Sequence, residues 1–95
     1  MKRAVFLSLV LAGSPAVAAS PDAWEEFRAN VKKACAKLAA AELENPSIWV
    51  DPFGTESYGV AIAKGPSKYD KSQQEVVCVF DKRSEKAEAT SAFKR

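Results

Sequence analysis

Trp24-Glu25-Glu26-Phe27-Arg28-Ala29-Asn30-Val31-Lys32-Lys33-Ala34-Cys35-Ala36-Lys37-Leu38 is the stretch on which the fold turns. Trp24, Phe27, Val31, Cys35 and Leu38 recur at steps of three and four, the spacing of one face of an α-helix. Ala34 widens that stripe. The stretch has no glycine and no proline and is rich in Ala, Lys and Glu, all good helix formers. The pattern predicts an amphipathic helix over residues 21–44. Ser20 or Asp22 can cap its start, Pro21 suits the first helical position, and Asp22 with Glu25 has capping-box spacing. Pro46 disfavours helical geometry at Asn45 and sets the expected end. Cys35 lies within the apolar stripe, so its thiol points at whatever the helix packs on.

Downstream the period changes from helical to two. A short apolar run at 47–50 surrounds Ile48 and Trp49. Asp51-Pro52-Phe53-Gly54 is turn chemistry. Residues 57–64 alternate, with Tyr58, Val60 and Ile62 on one side and Gly59, Ala61 and Ala63 on the other. Gly65-Pro66 closes that strand and opens a polar loop through Ser72. Residues 74–80 place Val76, Cys78 and Phe80 on one face and Glu75, Val77 and Val79 on the other. A turn at 81–84 leads into a weaker, alanine-rich last strand over 86–93. Successive strands with short connections pair antiparallel. The expected fold is α+β: one N-terminal amphipathic helix packed on a three- to four-stranded antiparallel sheet. Val76, Cys78 and Phe80 are expected to face the helix, and a Cys35–Cys78 bridge to cross the helix–sheet core.

The compartment is read from the other end of the chain. Lys2 and Arg3 precede an apolar run, Ala4 to Ala12, and then Gly13, Ser14, Pro15 and a series of small residues. This three-part form is that of a secretory signal. Small residues meet the peptidase's requirement for a cut after Ala18 or Ala19. The expected organisation is a cleaved segment, 1–19, and one small domain, 20–95, with no membrane span in the mature form. Lys2 and Arg3 belong to the 14 basic residues of the chain. Without them the domain carries as many basic as acidic groups, so no nucleic-acid partner is expected. A domain this short is marginal without help. In an oxidising compartment the two cysteines form one bridge. They lie 43 positions apart, and closing such a loop stabilises by about 4 kcal/mol in the chain-entropy picture.

The chain has no histidine, which removes the commonest general base and metal ligand. With both cysteines bridged, no soft ligand is left for zinc, copper or haem. No cofactor is expected. Asp51 and Glu56 flank one turn and Asp70 lies in the next loop, expected at the opposite end of the sheet, which argues against a shared two-carboxylate site and leaves solvated turn residues as the expectation. Ser91-Ala92-Phe93-Lys94 matches a serine–lysine motif, but it sits at the chain end rather than opening a helix. The expectation is a non-catalytic binding or accessory module, acting on a periplasmic protein or on a second copy of itself. The alternatives are an inhibitor-type protein acting through an exposed loop and a structural homo-oligomer.

Three surfaces are candidates for the contact. The loop over 65–72 carries Tyr69 with Lys68 and Lys71 close by. Trp49, Phe53 and Tyr58 cluster around the first turn, where packing into the core is the expectation and an exposed aromatic patch the alternative. Ala29, Ala36, Ala40 and Leu43 form a second helical stripe, roughly opposite the first, where a second copy could approach closely.

Cys35 with Leu38 in an alanine-rich helix, Asp51-Pro52-Phe53-Gly54-Thr55-Glu56-Ser57-Tyr58-Gly59, and Cys78-Val79-Phe80-Asp81-Lys82 together resemble small exported proteins of alphaproteobacteria to which no activity is assigned. The resemblance implies a periplasmic setting and supplies no functional residue. The general shape also resembles periplasmic inhibitor and accessory domains that present a loop from a disulfide-linked sheet.

Overall fold

The computed structural model describes residues 20–95; the expected signal segment and its cleavage positions near Ala18 and Ala19 lie outside them. Helix α1 spans Pro21–Ala39. Strands β1 (Ser47–Val50), β2 (Tyr58–Pro66), β3 (Gln73–Asp81) and β4 (Ala87–Ala89) follow. They form one antiparallel sheet in the order β1-β2-β3-β4. The fold is therefore α+β, a helix laid on one face of a four-stranded meander. Among the described residues, no helix is long and apolar enough to cross a membrane.

Ser20 is the N-cap of α1. Its Oγ accepts the Ala23 N–H at 3.1 Å and satisfies one of the free donors of the first turn. Val31, Cys35 and Ala39 are the buried residues of the helix, with Phe27 and Ala34 packed beside them. Opposite them lie Ala61 and Ala63 of β2 and Val76, Cys78 and Phe80 of β3. The small residues on β2 let the helix come close. A Cβ at Gly59 would stand 2.7 Å from Val31 Cγ2 and 2.9 Å from Phe27 Cζ, so glycine is what the close approach admits. The Cys35–Cys78 bond joins the two layers, with 5.6 Å between the Cα atoms.

The helix ends earlier than expected, and Pro46 is not the cause. After Ala39 the chain tightens, with Ala41 and Glu42 N–H groups donating to carbonyls three residues back. The chain then leaves the helix and pairs with the far end of the sheet. Glu44 N donates to Pro66 O, Lys68 N donates to Glu42 O, and Leu43 forms an isolated bridge with Ser67. Leu43, expected on the outward stripe, is a core residue. Prolonging the helix would leave Leu43 in water, whereas the pairing buries it and still satisfies the backbone.

Gly65-Pro66 ends β2 as expected, and both residues are still paired, with Gln74 and Gln73. Pro66 lies beyond the reach of β1, whose pairing stops at Ser47↔Lys64. The missing N–H thus disturbs no ladder, and the Pro66 carbonyl still accepts from Glu44. A Cβ at Gly65 would lie 3.0 Å from Glu44 O, where the two backbones cross. The last strand is shorter than expected. Thr90 bonds Val77, and Phe93 then pairs with Glu75, one more residue than the partner strand uses, as in a β-bulge.

Candidate functional site

The β2–β3 connection is a built loop. Ser67 is buried and organises it: its N–H donates to Ser72 O at 2.8 Å, its carbonyl accepts from Lys71 N at 3.0 Å, and its Oγ accepts from Tyr69 N at 3.0 Å. Asp70 holds the return of the chain. Its Oδ1 accepts from the Ser72 hydroxyl at 2.7 Å and from Ser72 N at 2.9 Å, and these bonds lower the Asp70 pKa. Lys71 has a positive φ of 66° and turns its ammonium to an ion pair with Glu44. The Tyr69 ring is left outside, 81% exposed, next to the exposed Lys68. The loop thus presents an aromatic ring on a backbone whose N–H groups at Ser67, Lys68, Tyr69, Lys71 and Ser72 are already paired.

The three aromatic residues of the first turn do not form one patch, and they are not core. Trp49 is 53% exposed, Phe53 56% and Tyr58 45%. Trp49 and Tyr58 lie on the sheet face turned away from the helix. Phe53 lies at the helix N-terminus, edge-on to Trp24 at 4.9 Å between ring centroids. The reason is local. Asp51 Oδ2 accepts from Gly54 N at 2.6 Å and from Phe53 N at 3.3 Å. Gly54 takes φ 74°, and a Cβ there would meet Tyr58 O at 2.2 Å. This turn folds the 51–55 segment back towards α1.

Two cations fasten it, neither of which the sequence reading singled out. Arg28 donates to Pro52 O at 2.9 Å and lies over the Phe53 ring at 5.9 Å. Lys82 Nζ donates to Phe53 O at 2.8 Å and Thr55 O at 2.6 Å while lying over the rings of Trp24 and Phe27. An ammonium between carbonyls and ring faces is a satisfied cation, and its role here is to clamp the loop. No spacing rule finds Lys82, because its partners come from two segments far from it along the chain, α1 and residues 53–55.

Ala29 and Ala40 are exposed and Ala36 is half-buried, so the outward stripe exists without Leu43. Glu75 is a further feature that the strand pattern did not reveal. It is buried on the outer sheet face, where Arg95 makes two bonds to it at 3.0 Å and Lys64 stands at 3.7 Å. The bonds and charge of Arg95, with help from Lys64, outweigh burial and hold the Glu75 carboxyl below its usual range, while Glu75 raises the Arg95 pKa. Asp81 is also lowered, by the N–H groups of Ser84 and Arg83 at 3.0 and 2.8 Å.

These shifts set an acid limit on stability. A carboxyl whose folded pKa is depressed stabilises the fold above its unfolded value, 4.5 for Glu75, and that contribution is lost as pH falls through the folded pKa. Urea midpoints are therefore expected to hold from neutral pH to about 5 and then fall. Glu75→Gln should lie below wild type at neutral pH and show a shallower acid slope, with Asp70 and Asp81 supplying the remainder. Parallel wild-type and variant profiles would show that the Arg95 clamp contributes nothing.

Among the described residues, no three His, Cys, Asp or Glu side chains gather as a metal site. A depression of about 530 Å³ is lined by Glu56, Ser57, Tyr58, Asp81, Lys82 and Arg83, but Asp81 and Lys82 are committed to the bonds given above. Comparison with known proteins finds no match: no family model, no curated protein and no solved structure resembles the chain.

Proposed function

We propose that this domain is a non-catalytic binding or accessory module of the bacterial periplasm that engages a protein partner through the β2–β3 loop. One observation carries the reading: Tyr69 is 81% exposed on a loop fixed by the buried Ser67 and by Asp70. A free aromatic ring on an ordered backbone binds without a large ordering cost, and tyrosine is a common anchor of protein interfaces. Lys68 beside it favours an acidic rim on the partner. The exported setting rests on the signal-like start of the chain, on the bridged cysteines and on the resemblance to exported alphaproteobacterial proteins.

The test is site-specific crosslinking in the native envelope from a photoreactive residue at the exposed position 68, in the wild-type and the Tyr69→Ala backgrounds. The reading expects one dominant protein adduct, and a roughly tenfold or greater loss of capture by Tyr69→Ala with an unchanged melting temperature. Equal capture by Tyr69→Ala and wild type would remove the loop as the contact surface.

A further inference from the structure

The helix covers one face of the sheet; the opposite face has no covering layer among the described residues. Register places Val60 and Ile62 of β2 beside Val79 and Val77 of β3 on that open side, with Trp49 next to Ile62. Its middle is thus aliphatic, and Val79 is 38% exposed there. Charges lie at the two ends of the strands. At one end Lys64 and Arg95 hold the single carboxylate Glu75, leaving a positive excess. At the other, Asp81, Glu85 and Glu88 outnumber Lys86 and Arg83, leaving a negative one.

We propose that this open face is a homodimer interface, occupied by a second copy of the chain. The charge pattern is self-complementary. A two-fold axis lying between two stacked sheets and running across their strands lays the Lys64/Arg95 end of each copy over the Asp81/Glu88 end of the other. The same operation stacks the aliphatic middles, the arrangement of a β-sandwich core. β2 and β3 run roughly 30 Å and the shorter β1 and β4 about 10–13 Å, and at about 4.8 Å spacing they offer on the order of 400 Å² per copy. Both copies together then bury about 800 Å², the size of a weak, reversible interface. A nucleic acid or an anionic lipid surface would call for one sign of charge across the face, and this face carries both. The dimer uses the sheet face and not the Tyr69 ring, so it is independent of the function proposed above.

Sedimentation of the exported, oxidised protein from roughly 1 µM to 1 mM tests it. A monomer–dimer equilibrium is expected. Val79→Lys, at an exposed position where folding is retained, is expected to raise the dissociation midpoint at least roughly tenfold, because each copy buries one unpaired ammonium. Trp49→Ser, checked for a native melting curve, is expected to shift it in the same direction. Glu88→Lys should weaken the dimer, and Glu88→Lys with Lys64→Glu should restore part of it, which a merely apolar contact would not do. A monomer throughout the range overturns the proposal. So does a dimer that resists Val79→Lys and Trp49→Ser yet dissociates with Ala36→Arg, which would place the contact on the helix.

Discussion

Cys35→Ala with Cys78→Ala is expected to cost about 4 kcal/mol of folding stability, the chain-entropy value for a bridge spanning 43 positions. The reference is the unfolded chain. Without the bond, residues between the helix and β3 regain the freedom to separate, and the folded state must supply that closure by packing alone. The packing is small in volume, since Ala39, Ala61 and Ala63 fill much of the layer between helix and sheet. Domains of this kind hold only about 5–15 kcal/mol in total. Urea unfolding of the double variant, beside wild type reduced and alkylated after unfolding, measures the loss. Both forms should unfold at much lower urea than the oxidised protein. A loss below about 1 kcal/mol would mean that the unfolded chain already holds its ends together, and that the bridge does not set the stability.

Leu43→Ala is expected to cost about 2–5 kcal/mol, the range for removing a fully buried leucine and leaving a cavity. This prediction separates the structure from the helical pattern directly. On a helix reaching residue 44, Leu43 sits on the outward stripe and its replacement by the best helix former would be neutral or slightly stabilising. In the fold it is a core residue at the crossing of the 42–44 segment with Ser67. The sign of the change therefore decides between the two. Ala40→Leu is the matching control: that position is exposed, and the change should be nearly silent. Thermal and urea melts of both variants read the contrast. A silent Leu43→Ala would restore the long helix.

The two variants also mark how far the sequence could be read. Cys35 and Cys78 were legible because each occupies the apolar face of an element with a clear period, three to four for the helix and two for β3. A staple between two inward faces follows from that alone. Leu43 was not legible, because helical spacing continues past Ala39 and no local residue ends it. What ends it is the edge of the sheet, which supplies backbone partners at Pro66 and Ser67. The same holds for β2. Gly65-Pro66 ends the strand as its turn chemistry expects, yet both residues keep their pairing with β3 because β1 has already stopped and the Glu44 backbone fills the gap.

The candidate surfaces divide in the same way. Tyr69 among lysines was visible as a loop feature, since Gly, Pro, Ser and Asp around it mark a turn in any context. Its free presentation depends on Ser67, whose burial comes from the packing of the 42–44 segment. Trp49 and Tyr58 were expected inside on account of size. Their register puts them on the side the helix does not cover, and a single helix can cover only one side of a sheet. The apolar alternate positions Val77 and Val79 carried a signal of this: a strand apolar on both faces keeps apolar side chains on whichever face the helix leaves open.

Sequence by itself determined the class of fold, the meander and the covalent link between its layers. Each depends on side-chain period, turn chemistry or cysteine placement, all of which act within a few residues or through a bond with one possible partner. Tertiary structure alone decided where α1 ends, which aromatic rings stay outside, and that Lys82 and Arg28 close the first loop over the helix. Those outcomes are competitions between segments distant along the chain for the same backbone partners and the same buried volume, and they are settled only when the segments meet.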